Sequence, residues 1–158
     1  AIHSCKREDI FLSKKKIFFR RVSSSLVATI DDQQFYALNT LVAINLKESS
    51  GRELELILGL FNSKLWNFYY TRFLKSTKKV FSEIQARSIA TLPLPHPNKA
   101  LDAEIVKDVR TLLEITPQAA EGSGSVQLQR RIEHLEDRID RAVFALYGLN
   151  EEEVASIL

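Results

Sequence analysis

Methionine is absent from this 158-residue chain, and cysteine occurs once. A lone Cys5 excludes an intrachain disulfide and points to a reducing, cytoplasmic setting. The missing methionine and the opening Ala1 lead us to expect an excised part of a longer chain. Five scattered glycines exclude a glycine-rich phosphate loop. Histidine is scarce too: His3 lies near the start, His96 between prolines, and His134 on a polar helix face. None has a His or Cys at i+3 or i+4. Asp137 follows His134 at i+3, but two ligands do not make a structural zinc site. No apolar run approaches the roughly 20 residues of a membrane span. No signal-peptide pattern opens the chain.

What is present is ordinary globular material. Hydrophobic residues make up 45% and charged residues 27%, enough for a packed core and too apolar for wholesale disorder. The length suits a single domain. The net charge of +2 conceals a division. Residues 1–100 carry 16 basic and 8 acidic side chains, a balance of +8. Residues 101–158 carry 6 and 12, a balance of −6. A basic body suggests a polyanionic partner, although segregated solvated faces would give the same totals.

Hydrophobic spacing divides the chain into segments. Lys14-Lys15-Lys16-Ile17-Phe18-Phe19-Arg20-Arg21-Val22 is a β-rich core between basic clusters. Leu26–Ile30 and Phe35–Leu46 read as further strands, separated by the polar turn 31–34. Residues 53–73 switch to helical spacing through Leu54, Ile57, Leu58, Phe61, Leu65, Phe68 and Tyr69, with an apolar surface wide enough to predict burial. Gly59 within this helix predicts close packing, because glycine costs up to about 1 kcal/mol there relative to alanine. Asn62-Ser63 is expected to face solvent or bond locally. Residues 81–90 fit a strand or a short helix, and the three prolines at 93, 95 and 97 predict an extended path.

Leu101–Ile115 reads as a helix ended by Thr116-Pro117, and Gly122–Ser125 as a flexible link. Leu128, Ile132, Leu135, Ile139, Ala142 and Leu146 then follow a 4-3-4-3-4 spacing. This is the heptad seam of a helix packed lengthwise on another, with 101–115 the nearest partner. Asp137 and Arg141 form an i,i+4 pair in the favourable order. Asn150 with Glu153 predicts a capping box for a last short helix.

No catalytic set can be assembled. Asp31-Asp32 and Glu8-Asp9 are adjacent pairs suited to turns and caps, and Ser23–Ser25 lacks a readable base. Basic residues interleaved with hydroxyls and aromatics remain. Lys14, Lys15, Lys16, Arg20 and Arg21 flank Phe18 and Phe19. Lys75, Ser76, Thr77, Lys78 and Lys79 follow the apolar helix. Lysines suit phosphates, and an arginine fork suits a guanine edge. These ten residues are the candidate DNA-binding set. A solubilising rim around an aromatic core is the competing account. Adjacent strand residues point to opposite faces, so at most one of Arg20 and Arg21 is expected to face a duplex. That pair and the 75–79 loop are expected on one face.

The order of the segments Lys16–Arg20, Leu26–Ile30, Phe35–Leu41, Leu58-Gly59-Leu60-Phe61-Asn62-Ser63-Lys64-Leu65 and Ile89-Ala90-Thr91-Leu92-Pro93-Leu94-Pro95 resembles the TaqI-like C-terminal specificity domain. The tail Arg138–Leu149 with Glu151–Glu153 is similar to the C-terminal end of enzymes that carry it, so the likeness spans roughly residues 14–158. The resemblance implies the target recognition part of an adenine-specific DNA methyltransferase or a fused type IIG restriction-modification enzyme. It implies double-stranded DNA and an N-terminal methyltransferase domain as partners. S-adenosylmethionine would belong to that other domain, and no cofactor is expected in these residues. Base-reading residues do not transfer by motif.

The expected architecture is therefore α+β. A small, mostly antiparallel sheet from residues 15–47 and 80–95 packs on the helix at 53–73, and a C-terminal antiparallel helix pair stands beside it. Residues 1–100 form the recognition body and 101–158 a helical region packed on the same domain. A protein-interaction module that uses the heptad helix is the alternative.

Overall fold

A computed structural model describes residues 8–47, 50–75, 82–119 and 125–158. After a short helix α1 (Glu8–Phe11), strand β1 (Lys16–Arg20) lies between β3 (Ala28–Asp31) and β4 (Leu41–Ile44), antiparallel to both. The register sets Lys16 opposite Asp31 and Arg20 opposite Leu41. A separate ribbon pairs β2 (Val22–Ser23) with β5 (Ser82–Glu83). The helices are α2 (Leu54–Asn62), α3 (Lys64–Tyr69), α4 (Ala86–Ile89), α5 (Lys99–Gln118), α6 (Val126–Leu146) and α7 (Glu151–Ile157), with a π-helical turn at Tyr70–Leu74. The fold is α+β, as the sequence predicts.

Alternation along β1 decides where the core sits. Ile17 and Phe19 point to one face and join Leu56, Leu60 and Phe61 of α2 in the core. Phe19 meets Phe61 at 5.1 Å between ring centroids. On the far side of α2 lie α5 and α6. At Gly59 the helices pack closely. A Cβ there would stand 2.7 Å from Ile105 Cγ2 and 3.1 Å from Val109 Cγ2. The predicted close packing is thus a contact between α2 and α5. The heptad seam is buried as expected at Ile132, Leu135, Ile139 and Ala142, with α5 as its partner. The Asn150–Glu153 capping box is present.

Four boundaries differ from expectation, one being that α5 runs through Thr116-Pro117 to Gln118 instead of ending there. The stretch from Phe35 yields a strand only at Leu41–Ile44. The Asp31 carboxylate accepts from Gln33 N and Phe35 N, and Gln34 takes φ +57°, so the chain turns out of the sheet. Residues 80–95 add only Ser82–Glu83 to any described sheet, and that ribbon is separate from the main one. Next, the helix at 53–73 breaks at Ser63, whose backbone is extended (ψ 153°). Ser63 Oγ donates to Leu60 O and accepts from Trp66 N, closing one helix and capping the next. Asn62 does not merely face solvent: its amide accepts from Ala28 N at 2.9 Å and donates to Ala28 O at 3.0 Å, pairing the outer edge of β3.

Candidate nucleic-acid interface

Because β3 and β4 run parallel on either side of β1, the segment 32–40 must cross from one end of the sheet to the other. The Phe11–Tyr36 stack and the bond from Lys16 to Phe11 O tie it to the side of the sheet that carries the Lys16 side chain. Lys16, Phe18 and Arg20 point to that face by alternation. Lys16 is fully buried there, pairing with the Asp31 carboxylate, donating to Phe11 O at 2.9 Å, and lying 5.1 Å from the Phe18 ring centroid. Lys16 is therefore unavailable to a phosphate, and its place in the expected DNA-binding set is corrected: it holds the sheet face together. The crossover is tied down by Asp31 at its start and by Phe11 stacked on Tyr36 at 5.3 Å. Tyr36 also donates to Glu8 Oε1 at 3.1 Å. Its outer surface mixes polar and apolar groups, with Gln33, Gln34, Asn39 and Thr40 exposed beside Phe35, Tyr36 and Leu38.

Basic residues gather at both ends of β1. At the Lys16 end, Lys14 is exposed, while Lys15 reaches Glu55 at 2.9 Å. Burial pushes the Glu55 carboxyl up, but bonds from Lys15, its own backbone and Arg110 outweigh this and hold it below the ordinary value. Lys47 and Arg52 adjoin Lys15 around a pocket of about 420 Å³. At the other end, Arg20 is exposed with no ion pair among the described residues. Arg21 pairs with Glu83. Lys75 Nζ donates to Ser24 O at 3.3 Å, which brings Lys75 to the Arg20–Arg21 end. Ser76, Thr77, Lys78 and Lys79 lie outside the described residues.

The sequence reading missed the crossover, Lys47 and Arg52. Gln33-Gln34 and Asn39 carry no periodic signal, and Lys47 and Arg52 are isolated in the chain, adjoining Lys15 only through the fold.

A neighbouring groove, which Asp32 and Gln33 of the crossover help to line, is acidic. This groove of about 980 Å³ between β3, α2, α5 and α6 is lined by Glu133, Glu136, Asp137 and Asp140, with Lys64 among them. Lys64 Nζ lies 3.0 Å from Asp137 and 3.2 Å from Asp140. The bond from Lys64 holds the Asp137 carboxyl below its ordinary value, so Asp137 serves α3 as well as its own helix neighbour Arg141. Burial, with Asp140 nearby, pushes the Glu136 carboxyl up. His134 and His96 are exposed, and His3 lies outside the described residues. Among the described residues no group of three or more His, Cys, Asp or Glu could hold a metal ion. No described helix is long and apolar enough to cross a membrane.

A small α+β domain that frames a crossover between two basic ends has the character of a recognition module. The chain belongs to the family of TaqI-like C-terminal specificity domains, whose family model matches residues 2–94. Such a domain is a specificity domain of DNA methyltransferases. The match ends before α5, so the likeness expected of the C-terminal tail is not part of it. No curated protein matches the chain.

Proposed function

We propose that this domain recognises a specific sequence in duplex DNA for an adenine-specific methyltransferase of a restriction-modification system, in the cytoplasm. Family membership carries this reading. A companion domain would bind S-adenosylmethionine, the methyl donor, and would flip and modify the base, while this domain delivers the sequence. Fusion of that enzyme to an endonuclease, as in type IIG systems, belongs to the same proposal.

The geometry supports the reading in three ways. The basic ends of β1 are about 13 Å apart, from four strand steps of about 3.3 Å. That matches the major groove, which is about 12 Å wide. Phosphate contacts on both flanks would therefore place the 32–40 crossover over the base edges. Its exposed amides suit adenine, which bonds an Asn or Gln side chain through N6 and N7, and its exposed apolar side chains suit the thymine methyl. The acidic groove borders the crossover at Asp32 and Gln33, and its carboxylates on α6 would repel phosphates, which leaves the backbone contacts to the two basic ends. The seam of α6 is occupied by α5 of the same chain, which weighs against the interaction-module alternative.

The test is titration against mixed-sequence duplex at two salt concentrations. Binding should weaken steeply with salt as counterions are released, from a low-salt affinity in or above the nonspecific range of roughly 10⁻⁴–10⁻⁶ M. Absence of binding at low salt, with the fold intact by circular dichroism, overturns the reading.

A further inference from the structure

We propose that the pocket lined by Ser13, Lys15, Asn45, Lys47, Ser50 and Arg52 is a seat for a single phosphate group. On the reading above, that group is a phosphodiester of the bound duplex. The seat deepens that reading and rests on it for the source of the phosphate.

Three observations carry the assignment. First, among the described residues cations outnumber carboxylates around the pocket. Lys15, Lys47 and Arg52 bring three cations to one rim. Among the described residues, one of the three has a carboxylate partner: Lys15 pairs with Glu55, which Arg110 shares at 3.2 Å. Arg52 instead spends Nη2 on a neutral acceptor, the Pro95 carbonyl, and its Nη1 is buried with no hydrogen-bond partner. A guanidinium with no carboxylate partner among the described residues favours an anion nearby. Second, the remaining lining offers a hydroxyl donor for a phosphate oxygen. The Ser50 hydroxyl, a group type that commonly contacts DNA phosphates, donates in no hydrogen bond among the described residues, whereas the Ser13 proton goes to Ile10 O and the Asn45 amide donates to Ser13 Oγ and Ile10 O. Third, the rim is fixed rather than loosely solvated. Asn45 Nδ2 donates to Ser13 Oγ, Ser13 Oγ donates to Ile10 O at 2.8 Å, and Arg52 N donates to Ser50 Oγ at 3.4 Å. Gly51, with φ +61°, makes the turn between Ser50 and Arg52, and apart from its chain neighbours no described residue lies within 4 Å of its Cβ position. An approaching phosphate therefore meets an open backbone there.

The position fits the proposed docking. The pocket sits at the Lys16 end of β1, across the crossover from Arg20. A phosphate held here fixes one flank of the groove and sets the register of the crossover on the bases. It carries no sequence information itself.

The test pairs two probes on the 158-residue protein. In duplex titrations over a salt series, Lys47→Ala should lower affinity several-fold for all sequences alike. It should also reduce the slope of log K against log salt by about 0.9, the share of one phosphate. Lys47→Glu should lower affinity further. Lys47 is exposed, so neither change should alter the circular dichroism spectrum. In the second arm, inorganic phosphate is titrated into isotopically labelled protein. It should shift the amide resonances of Ser50, Gly51 and Arg52 saturably in the parent and not in Lys47→Glu. If the parent binds duplex but both variants keep its affinity and salt slope, and phosphate moves no pocket resonance, the seat is overturned and the DNA reading stands. If the parent binds no duplex while phosphate saturates the pocket, the DNA reading fails and the seat stands as a site for free phosphate.

Discussion

Lys16 and Asp31 face each other across β1 and β3 and form an ion pair that is shut away from solvent on the face opposite the main core. The pair joins the sheet to the crossover, because the same carboxylate accepts from Gln33 N and Phe35 N. Removing one partner should be costly, since the other charge is left buried. Lys16→Met or Asp31→Ala should each lose about 3–5 kcal/mol by chemical denaturation. The double replacement Lys16→Met with Asp31→Leu should recover much of that. It should not recover the crossover, whose Gln33 and Phe35 amides lose their acceptor and should exchange faster with solvent.

The same pair gives a pH dependence with a defined sign. Burial pushes the Asp31 carboxyl up, yet the bonds from Lys16 and from the Gln33 and Phe35 amides outweigh it and hold the pKa below the ordinary 3.8. A carboxylate whose folded value is depressed binds protons more readily in the unfolded chain. Its contribution is therefore complete above the unfolded value and is lost as pH falls through the folded one. Stability should hold from neutral pH to about 5 and then fall in the acid range. Glu55 acts in the same direction. Asp31→Asn should be less stable at pH 7 and should show a shallower acid decline. An equal decline in both proteins would mean that Asp31 is not held as described.

Gly59→Ala tests a close approach in the core. On a solvent-facing helix the change would gain up to about 1 kcal/mol. Here the new methyl meets the branched Ile105 at 2.7 Å, and Ile105 is fully buried with little room to retreat. Overpacking of this kind costs about 1–3 kcal/mol. The net result should be a lower thermal midpoint. A raised midpoint would show that α2 and α5 can separate without penalty.

How much of this was legible in the sequence follows from the range of the interactions. Gly59, the α6 seam and the Asn150–Glu153 box depend on neighbours within a few turns or on one helix partner, so spacing alone exposes them. The fate of Lys16 does not depend on local pattern. In the run Lys14-Lys15-Lys16 all three look alike, and only the pairing of β1 with β3 puts an aspartate opposite the last of them. The crossover was hidden for a related reason. Phe35 and Tyr36 favour strands intrinsically, but the Asp31 carboxylate draws the following amides into a turn, and β4 begins six residues after Phe35. Similarly, the break at Ser63 depends on a hydroxyl choosing cap geometry over helix interior.

Ile139→Asp tests whether the acidic helical side is structural. Ile139 is buried in the main core and lies 3.7 Å from the Cβ position of Gly59, so the charge would enter where α2, α5 and α6 meet. A loss of more than about 3 kcal/mol is expected from an unpaired buried carboxylate. Thermal melting unchanged from the parent would mean that the seam is open, and the interaction-module alternative would regain its footing.

Arg20 and Arg21 are neighbours with different expected roles. Alternation sends their side chains to opposite faces. Arg21 is engaged with Glu83 on a solvent-accessible rim, where such a pair contributes at most about 1 kcal/mol. Arg20 stands exposed on the crossover face with no ion pair among the described residues, and its strand neighbour on that side is Leu41. Its planar fork can bond a guanine O6 and N7 together, which a lysine cannot reproduce. A duplex selected from a random pool by the protein, together with its single-base variants, provides the assay. Arg20→Ala and Arg20→Lys should both relax discrimination at one base pair by about 1–3 kcal/mol if the fork reads a base. If Arg20 instead meets a phosphate, Arg20→Lys should retain most of the affinity, and Arg20→Ala should weaken every sequence equally. Arg21→Ala should leave discrimination unchanged. Gln33→Ala and Asn39→Ala on the crossover should relax discrimination at base pairs different from the one Arg20 governs. Unchanged discrimination and affinity in Arg20→Ala, Gln33→Ala and Asn39→Ala, with duplex binding retained, would remove the crossover face from the docking geometry and move the reading surface elsewhere on the domain.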